Sequence, residues 1–445
     1  MANMNLLESY KGRLAVSESY YAKSHNGEKL SQNKKLVVAK LLENTNKFLN
    51  EAFDNSVGTQ RSDMGLFRKF ALNLTTVAVP NLIAFDLVLV HPMSSMAGYV
   101  NYIQYTAGSN KGETAQGDVL NSPFGLGKVD ANYSSDRVVE TVAAAAAGKA
   151  FVAAWTPVVE KAFYVKDGKE VRFGTEGADW AAYKVVKADG TVTYSATAPT
   201  VAEGDKVAYV YDNVKIPQND LPIINAEMKA IPLVAKARRI AIYYSQIAAY
   251  QAKNDYGFDL GDQLAEKAVG QLSYEIDTEV TSMLIDNATS DSDLVWSKSL
   301  PHGVSKQEHY AGFVEVLEIA RQKIYDRTKR FAPNYMLIAS NLLPIMAFIP
   351  GFQAAPAGTI NGPYFAGTLN SLKVYVTPNI EAGKFVIGVN GDDMMSSAAV
   401  YAPYMPIVPT QLLGYADGAM SQGWSTMYDL KLLNANLLVA GRVTA

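Results

Sequence analysis

The feature that most constrains the fold is a long amphipathic stripe in the second half of the chain. Apolar side chains recur there at intervals of four, three, four, four and three residues: Ala265, Val269, Leu272, Ile276, Val280 and Met283. Asp259 stands where a helix N-cap belongs, and Asp262 and Glu266 lie near the positive end of the helix dipole. We predict one helix over residues 259–286, roughly 42 Å long at about 1.5 Å per residue.

The composition indicates a folded protein with a large core. The chain has 445 residues, of which 49% are hydrophobic and 19% charged, so it has enough apolar side chains for several domains and is not disordered. Lys and Arg number 40 against 43 Asp and Glu, for a net charge of −3, which argues against a dedicated nucleic-acid-binding protein. The absence of cysteine excludes a disulfide scaffold, a thiolate zinc site and a cysteine nucleophile.

No targeting or membrane-spanning segment is visible in the sequence. The longest apolar stretches are interrupted, one by Pro80 and Asp86 and another by Gly148-Lys149, and neither reaches the ~20 apolar residues of a membrane helix. We therefore expect a soluble protein made in a reducing cytoplasm.

The first third of the chain contains three segments with different patterns of apolar residues. Residues 1–60 have a helical apolar stripe, which predicts either helices packed on their own domain or an arm packed on a neighbouring subunit. Residues 79–90 read as a turn followed by a buried strand, and residues 99–105 read as a second strand. Residues 107–135 are rich in Gly, Asn and Ser without periodicity, which is typical of a long loop that is either functional or disordered.

The rest of the chain predicts an α+β fold rather than alternating βαβ units. The Ala-rich residues 136–160 predict a helix. Asp167-Gly168 and Asp189-Gly190 stand between β-type runs, which favours two hairpins within residues 161–215. Residues 216–245 read as extended chain and residues 311–329 as a helix. Strands and one short helix follow to the end.

The sequence contains no complete nucleotide-binding motif. Gly125-Leu126-Gly127-Lys128 resembles part of a phosphate loop, but Ser122 replaces the first glycine and Val129 the magnesium-binding hydroxyl residue. Gly108, Gly112 and Gly117 do not have the dinucleotide-binding spacing.

The remaining polar candidates are isolated. Among the four histidines, His25, His91, His302 and His309, the last two flank Glu308 in what we read as a polar loop rather than a metal site. Asp392-Asp393 is read as a solvated turn. Glu275 and Glu279 repel each other on one helix face unless a basic partner, for which Arg238-Arg239 is a candidate, lies nearby. We predict no catalytic, cofactor-binding or metal-binding residues, and no enzyme.

The chain instead has features of an assembling protein. It combines an arm-like start, a long loop, an inserted β module and a long rigid helix. It also carries 26 Tyr and 14 Met, residue types enriched in interface cores, although both also fill ordinary cores.

Four stretches, in the same order, resemble the major capsid protein family of T-even-type tailed bacteriophages, which has the Hong Kong 97-type capsid fold. They cover residues ~66–106 and ~225–430 and are the following: Val79-Pro80-Asn81-Leu82-Ile83-Ala84-Phe85-Asp86 with Val90-His91-Pro92-Met93; Ala235-Lys236-Ala237-Arg238-Arg239 and the segment that follows it; Asn334-Tyr335-Met336-Leu337-Ile338-Ala339-Ser340-Asn341; and Ala366-Gly367-Thr368-Leu369, Lys373-Val374-Tyr375-Val376 and Val400-Tyr401-Ala402-Pro403-Tyr404.

The resemblance implies a role for each part of the chain. Residues 1–65 would be an N-terminal arm, 66–160 the first part of the peripheral domain with the extended loop, 161–215 a β-rich insertion domain, 216–335 the peripheral domain with residues 259–286 as its spine helix, 336–403 the axial domain, and 404–445 the strands that return to the peripheral domain. The insertion and the short end after Leu438 differ from the family, so interface residues there are not transferable.

The resemblance also implies partners and processing. The chain would form the hexameric capsomers of an icosahedral head assembled in the bacterial host cytoplasm, either alone or together with pentamers of the same chain. Its partners would be a vertex protein, portal, scaffold, head protease, decoration proteins and loosely bound DNA. The family's protease cuts after Glu in a Leu/Ile-x-Glu pattern, which Leu49-Asn50-Glu51 fits; Leu6-Leu7-Glu8 and Leu41-Leu42-Glu43 fit equally well. The alternatives are the paralogous vertex protein, an encapsulin-like shell and, least favoured, a soluble enzyme using Glu275 and Glu279.

Overall fold

A computed structural model provides the structure of the chain. It describes residues 2–24, 27–54, 71–121, 133–158, 163–166, 169–171, 180–212, 221–257, 259–355, 362–410 and 412–444. The chain divides into two compact units, the first comprising Met1–Asn101, Pro123–Gly125 and Ala230–Ala445 and the second Tyr102–Ser122 and Leu126–Lys229. Helices and sheets both contribute substantially, so the expected α+β class is confirmed.

The helices belong to the first unit, with short 3-10 turns between them. Their bounds are α1 Ala2–Ser9, α2 Lys11–Ser24, α3 Gln32–Asp54, α4 with described residues 71–78, α5 Ala84–Leu87, α6 Gln246–Asp255, α7 Leu260–Asp286, α8 Lys306–Ala311, α9 Phe313–Thr328 and α10 Leu343–Met346. The predicted long helix is confirmed as α7, whose N-cap Asp259 accepts hydrogen bonds from the backbone N–H groups of Gly261 and Asp262. Four stripe residues are buried on it: Ala265, Leu272, Ile276 and Val280.

A five-stranded sheet lies against α3 and α7 in the first unit. Its strands are β1 Leu89–Val90, β12 Lys236–Ser245, β19 Ala399–Pro409, β20 Leu413–Gly414 and β21 Ala419–Leu432. Their order is β1-β19-β21-β12, and β20 pairs only with β21. β12 alternates between exposed and partly exposed residues because one of its faces packs on α7.

A seven-stranded mixed sheet forms the other half of the first unit. Its strands, in order, are β13 Thr289–Ser297, β22 Leu438–Thr444, β18 Lys384–Gly388, β14 Tyr335–Ala339, β17 Leu372–Thr377, β16 Tyr364–Leu369 and β15 Gln353–Ala354. β14 is buried at every position, as expected for a central strand covered on both sides. The last strand of the chain therefore pairs with β18 and β13, whereas residues 404–432 belong to the five-stranded sheet.

The second unit contains the predicted β module. Its four-stranded sheet has the order β4-β10-β8-β9, formed by β4 Arg137–Thr141, β10 Lys206–Val210, β8 Tyr183–Val186 and β9 Val192–Ser195. A three-stranded sheet contains β5 Phe163–Lys166, β6 Lys169–Val171 and β7 Trp180–Ala181. The strands β2 Ala97–Ala107, β3 Val119–Asn121 and β11 Ile224–Val234 form a third sheet in the order β11-β2-β3; the start of β2, up to Asn101, and the end of β11, from Ala230, belong to the first unit.

The hairpin predicted at Asp189-Gly190 is confirmed, because β8 and β9 pair antiparallel and Gly190 has a φ of +86°. Asp167-Gly168 lies outside the described residues, although β5 and β6 on either side of it pair antiparallel. The extended chain over 216–245 is confirmed in its described part by β11 and β12, and the helix over 311–329 by α9.

Three expectations are wrong. Residues 136–160 form no long helix in their described part: β4 and a 3-10 turn at Ala144–Ala146 occupy it, because β-branched residues and pairing with β10 override the helical propensity of alanine. Residues 79–90 contain the expected turn, a 3-10 turn at Val79–Asn81, but the short helix α5 and only a two-residue strand follow it instead of a long buried strand. The loop 107–135 contains β3 and a bridge between Lys111 and Thr114.

Candidate assembly surfaces

The residues that the sequence offered for metal or nucleotide chemistry serve local structure instead. The His309 ring stacks on Trp296 with centroids 4.7 Å apart, and its Nε2 lies 2.9 Å from the Ser297 carbonyl oxygen. Glu308 completes a capping box with Ser305 at the start of α8. Asp393 forms a similar cap with Ser396. Within the described residues, no group of three or more His, Asp or Glu side chains could hold a metal ion.

The glycines of the first loop shape the backbone. A Cβ at Gly108 would lie 2.8 Å from the Ile223 Cγ2 atom, and the Gly108 N–H donates to the Ile223 carbonyl at 2.7 Å. Gly112 and Gly117 have φ values of +59° and +90°, which glycine adopts at low cost. Gly125 to Lys128 and His25 lie outside the described residues.

Arg238 is the basic partner that the two helix glutamates require. Its guanidinium lies 3.3 Å from Glu275 Oε2 and 2.5 Å from Glu279 Oε2. The Tyr428 hydroxyl donates to the same Glu279 oxygen, and the guanidinium stands 5.6 Å from the Tyr428 ring centroid. This cluster cross-links α7 to β12 and β21, and it confirms the pairing suggested for Arg238 rather than a pair of glutamates lining a pocket.

We expect Arg238→Met to lower the free energy of unfolding by about 0.5–1 kcal/mol, because the pairs are one-third to two-fifths exposed and solvent screens them. The loss should shrink in about 1 M salt, where the Debye length is near 3 Å. Arg239→Met is the matched control, since Arg239 is exposed. Urea denaturation at two salt concentrations measures both variants; a loss that is independent of salt would contradict the ionic account.

A buried carboxylate on α7 caps the start of α5. Asp277 Oδ1 accepts a hydrogen bond from the Ile83 backbone N–H at 3.0 Å, and the side chain is buried. Burial raises the pKa of Asp277 to about 8, against the lowering effect of the Ala84 and Ile83 N–H groups; the Asp86 charge adds to the increase. The sequence analysis did not single out Asp277. The one signal that could have identified it is its position directly after Ile276 of the apolar stripe, where a charged side chain is unexpected.

We expect Asp277→Asn to remove a pH dependence of stability. The folded-state pKa lies above the ordinary value of 3.8, so this group contributes its full stability below pH ~4 and loses it as the pH rises to ~8. The free energy of unfolding of the original protein should therefore fall, relative to that of the asparagine variant, by up to about 1 kcal/mol per pH unit. Denaturant curves between pH 4 and 8 measure this difference, and parallel profiles would contradict it.

A second buried carboxylate holds the N-terminal helices on the core of their own unit. Asp86 Oδ1 accepts hydrogen bonds from the Tyr21 hydroxyl and the Lys34 ammonium, both at 2.7 Å, and the Asp86 side chain is 1% exposed. The Lys34 ammonium also stands 5.0 Å from the Tyr21 ring centroid. Burial, followed by the Asp86 charge, raises the pKa of Tyr21 well above its ordinary value. Asp86 thus connects α5 with α2 and α3.

Further contacts place the described N-terminal helices on their own chain. Asn44 Nδ2 donates to the carbonyl oxygens of Met93 and Tyr404 at 2.7 and 3.0 Å, and Lys373 pairs with Glu28 at 2.6 Å. The described N-terminal helices therefore pack on their own unit, as in the first of the two expected arrangements, and an arm on a neighbouring subunit stays a prediction. Leu49 of the cleavage motif lies within α3 and is 2% exposed; Asn50 and Glu51 lie in the same helix.

The second unit exposes a surface of large apolar side chains beside the β2 and β11 strands, which we call the ribbon surface. Its members and their exposed fractions are Ile103 45%, Tyr105 38%, Leu221 39%, Ile223 45%, Ile224 60% and Met228 76%. Every residue from Ile224 to Lys229 is exposed. Concentrated apolar exposure of this kind marks a contact surface.

The ribbon surface is typical of a structural protein that associates with other chains through its surface. The chain belongs to the Gp23 major capsid protein family, whose model matches residues 64–442. It is therefore a phage major capsid protein, a component of the virion. None of the described helices has the combined length and apolarity that crossing a bilayer requires.

Curated relatives carry the same description. The chain is 23% identical over 393 residues to a "Major capsid protein" of Escherichia phage AR1, covering 79% of this chain and 73% of the relative. It is 22% identical over 395 residues to a "Major capsid protein" of Enterobacteria phage T4, covering 79% and 73% respectively.

Among solved structures, the chain is similar to a protein of Microbacterium phage Oxtober96, with 10% identity, a TM-score of 0.35 and coverage of 81% of this chain and 90% of the other. It is also similar to the holo-SrpI encapsulin complex of Synechococcus elongatus, with 13% identity, a TM-score of 0.33 and coverage of 49% and 77%. The family assignment rests on the family model.

Proposed function

We propose that this chain forms the hexameric capsomers of an icosahedral head that encloses double-stranded DNA. The observation that carries the proposal is the match of residues 64–442 to the major capsid protein family. Capsomers of one repeated chain are rings that close by rotation through heterologous contacts. The net charge of −3 favours only loose, non-specific contact with the packaged DNA.

The proposal assigns roles within a Hong Kong 97-type fold. Residues 259–286 are the spine helix of the peripheral domain, and its Arg238 cluster and capping Asp277 support this by fixing the helix to a sheet and to α5. Residues 336–403 contribute the axial domain, 161–215 the insertion domain and 66–160 the first part of the peripheral domain with the extended loop. Residues 1–65 are the N-terminal arm, and before assembly the Asp86 contacts hold its helices α2 and α3 on the core.

The proposed partners are a vertex protein, a portal, a scaffold, decoration proteins and a head protease that trims the chain after Glu51. Cleavage there requires the last turn of α3 to unwind, because a protease takes an extended strand and Leu49 is 2% exposed within a helix. Intact-mass measurement of the chain from mature particles tests this step: loss of residues 1–51 supports it, and a full-length chain contradicts it.

The number of copies per particle tests the capsomer role against the vertex role. Quantitative gel densitometry of purified virions should show this chain as the most abundant head protein. A minor band, present at a small fraction of another shell protein, would instead assign the chain to the vertices.

A further inference from the structure

A cavity of about 620 Å³ lies in the first unit between the N-terminal helices and the loop that follows β18. Its walls come from α1, α3, α5, β1 and residues 390–394, all of which belong to the first unit. A volume of this size lies within the range of about 300–1,000 Å³ that is typical of small-molecule sites.

The interior of the cavity is apolar. Val37 of α3, Phe85 of α5 and Val88 line it and are buried, with exposed fractions of 8%, 1% and 1%. Leu36 and Met394 add partly buried apolar side chains to the same lining. Walls of this kind bury the body of a ligand, and a few polar groups then determine its orientation and its charge.

The lysines that line the cavity are paired with carboxylates of the chain itself. Lys34 Nζ lies 2.7 Å from Asp86 Oδ1, and Lys40 Nζ lies 2.7 Å from Glu43 Oε2. Desolvation lowers the pKa of His91, which also lines the cavity, so its ring is uncharged at neutral pH. The basic residues therefore give the cavity no net positive charge.

Two further carboxylates, those of Asp392 and Asp393, line the cavity without a cationic partner. Asp392 is exposed. The Asp393 side chain accepts a backbone hydrogen bond in its cap with Ser396, which leaves its negative charge in place. Neither carboxylate forms an ion pair with a described residue. The lining as a whole is therefore negatively charged on this side.

Hydrogen bonds fix the loop that carries these two carboxylates. The Asn390 Nδ2 group donates to the Asp86 carbonyl oxygen at 2.8 Å, and the Asn390 N–H donates to Asn334 Oδ1 at 2.9 Å. The Ser397 hydroxyl donates to the Gly391 carbonyl oxygen at 2.8 Å. A site that is fixed before binding loses less conformational entropy when its ligand arrives.

We infer that this cavity binds a small organic cation, with its apolar body against Val37, Phe85 and Val88 and its ammonium or guanidinium group beside Asp392 and Asp393. The apolar walls bury the body, and the two carboxylates attract the charge. An anion of the same shape meets two like charges and is rejected. The inference goes beyond the proposed function and does not depend on it, because one chain supplies the whole cavity.

Three probes with the same apolar body test the charge preference. At pH 7 the free end of 4-phenylbutylamine is positive, that of 4-phenylbutanol is neutral and that of 4-phenylbutyrate is negative. Titration calorimetry on the full-length chain at low salt, where screening is weakest, measures the affinity for each probe. We expect the amine to bind at least about tenfold more tightly than the butyrate. Equal affinities, or no binding of the amine at millimolar concentration, overturn the inference.

The double variant Asp392→Asn, Asp393→Asn tests whether these carboxylates cause the preference. Asparagine keeps the shape of aspartate and also serves as a cap, so the loop should stay folded. We expect the affinity for the amine to fall about tenfold, towards that for the alcohol. Asp417→Asn is the matched control, because Asp417 is an exposed turn residue that accepts a hydrogen bond from the Ala419 N–H. A preference for the amine that survives the double variant overturns the inference.

The absence of cysteine allows the site to be located. Leu36→Cys introduces a single thiol into the lining, and its reaction with N-ethylmaleimide should abolish binding of the amine. Val152→Cys, at a residue that is 86% exposed in the second unit, should bind the amine equally before and after labelling. Met394→Cys replaces Leu36→Cys if that variant does not fold. Undiminished binding after labelling in the cavity overturns the inference, and none of these measurements requires shell formation, so they are independent of the proposed function.

Discussion

Asp86→Ala is expected to lower the free energy of unfolding by about 3–5 kcal/mol. The substitution leaves the Lys34 ammonium and the Tyr21 hydroxyl beside an empty space, and both contact the same Asp86 oxygen at 2.7 Å. Asp86→Asn should cost less, because the amide oxygen still accepts a hydrogen bond. Urea denaturation followed by circular dichroism measures the loss.

Limited proteolysis shows where the effect of Asp86→Ala lies. We expect cleavage within residues 1–54 to accelerate, since Asp86 holds α2 and α3 on the core. Asp392→Ala, at an exposed position, is the matched control and should change stability by less than about 0.5 kcal/mol. A loss below 1 kcal/mol for Asp86→Ala would mean that packing of Tyr21 and α3, not the carboxylate, holds these helices.

The second large effect is expected at the centre of α7. Ile276 is 1% exposed and belongs to the main core with Leu41, Leu82 and Phe85. Ile276→Ala removes three carbons from this packed region and should cost about 2–5 kcal/mol, whereas Ile276→Val should cost about 0.5–1.5 kcal/mol. Both losses in the free energy of unfolding are measured from the shift of the urea denaturation midpoint, with the dependence on urea concentration unchanged.

Lys267→Ala is the control for Ile276→Ala because Lys267 is exposed on the same helix and alanine favours a helix. It should leave the midpoint within about 0.5 kcal/mol of the original value. If Ile276→Ala and Lys267→Ala had equal effects, the stripe of α7 would not be the buried face, and the placement of the helix against α5 and the five-stranded sheet would be wrong.

The parts of the fold that follow from periodicity could be predicted. The stripe from Ala265 to Met283 and the cap at Asp259 predicted α7 to within one residue, because a helical repeat sustained over about five turns has few alternatives. The Asp189-Gly190 hairpin followed from the positive φ that glycine supplies. The like charges Glu275 and Glu279 required a cation, and Arg238 meets that requirement.

The parts of the fold that depend on tertiary contacts could not be predicted from the sequence. Alanines at 143–147 favoured a helix, yet pairing of β4 with β10 decides that region. Pro80 and Asp86 appeared as interruptions of an apolar run, whereas Asp86 is the buried acceptor for Tyr21 and Lys34. Strand pairing brings β12, β21 and β20 side by side, and register between distant segments has no local signature.

The central claim is that these surfaces join copies of one polypeptide into a closed container. Electron microscopy of the purified full-length chain under assembly conditions tests it most directly. We expect closed shells or the capsomers that build them, with α7 as one continuous helix beside the sheet in every copy. A small discrete oligomer that never forms capsomers or shells would contradict the claim.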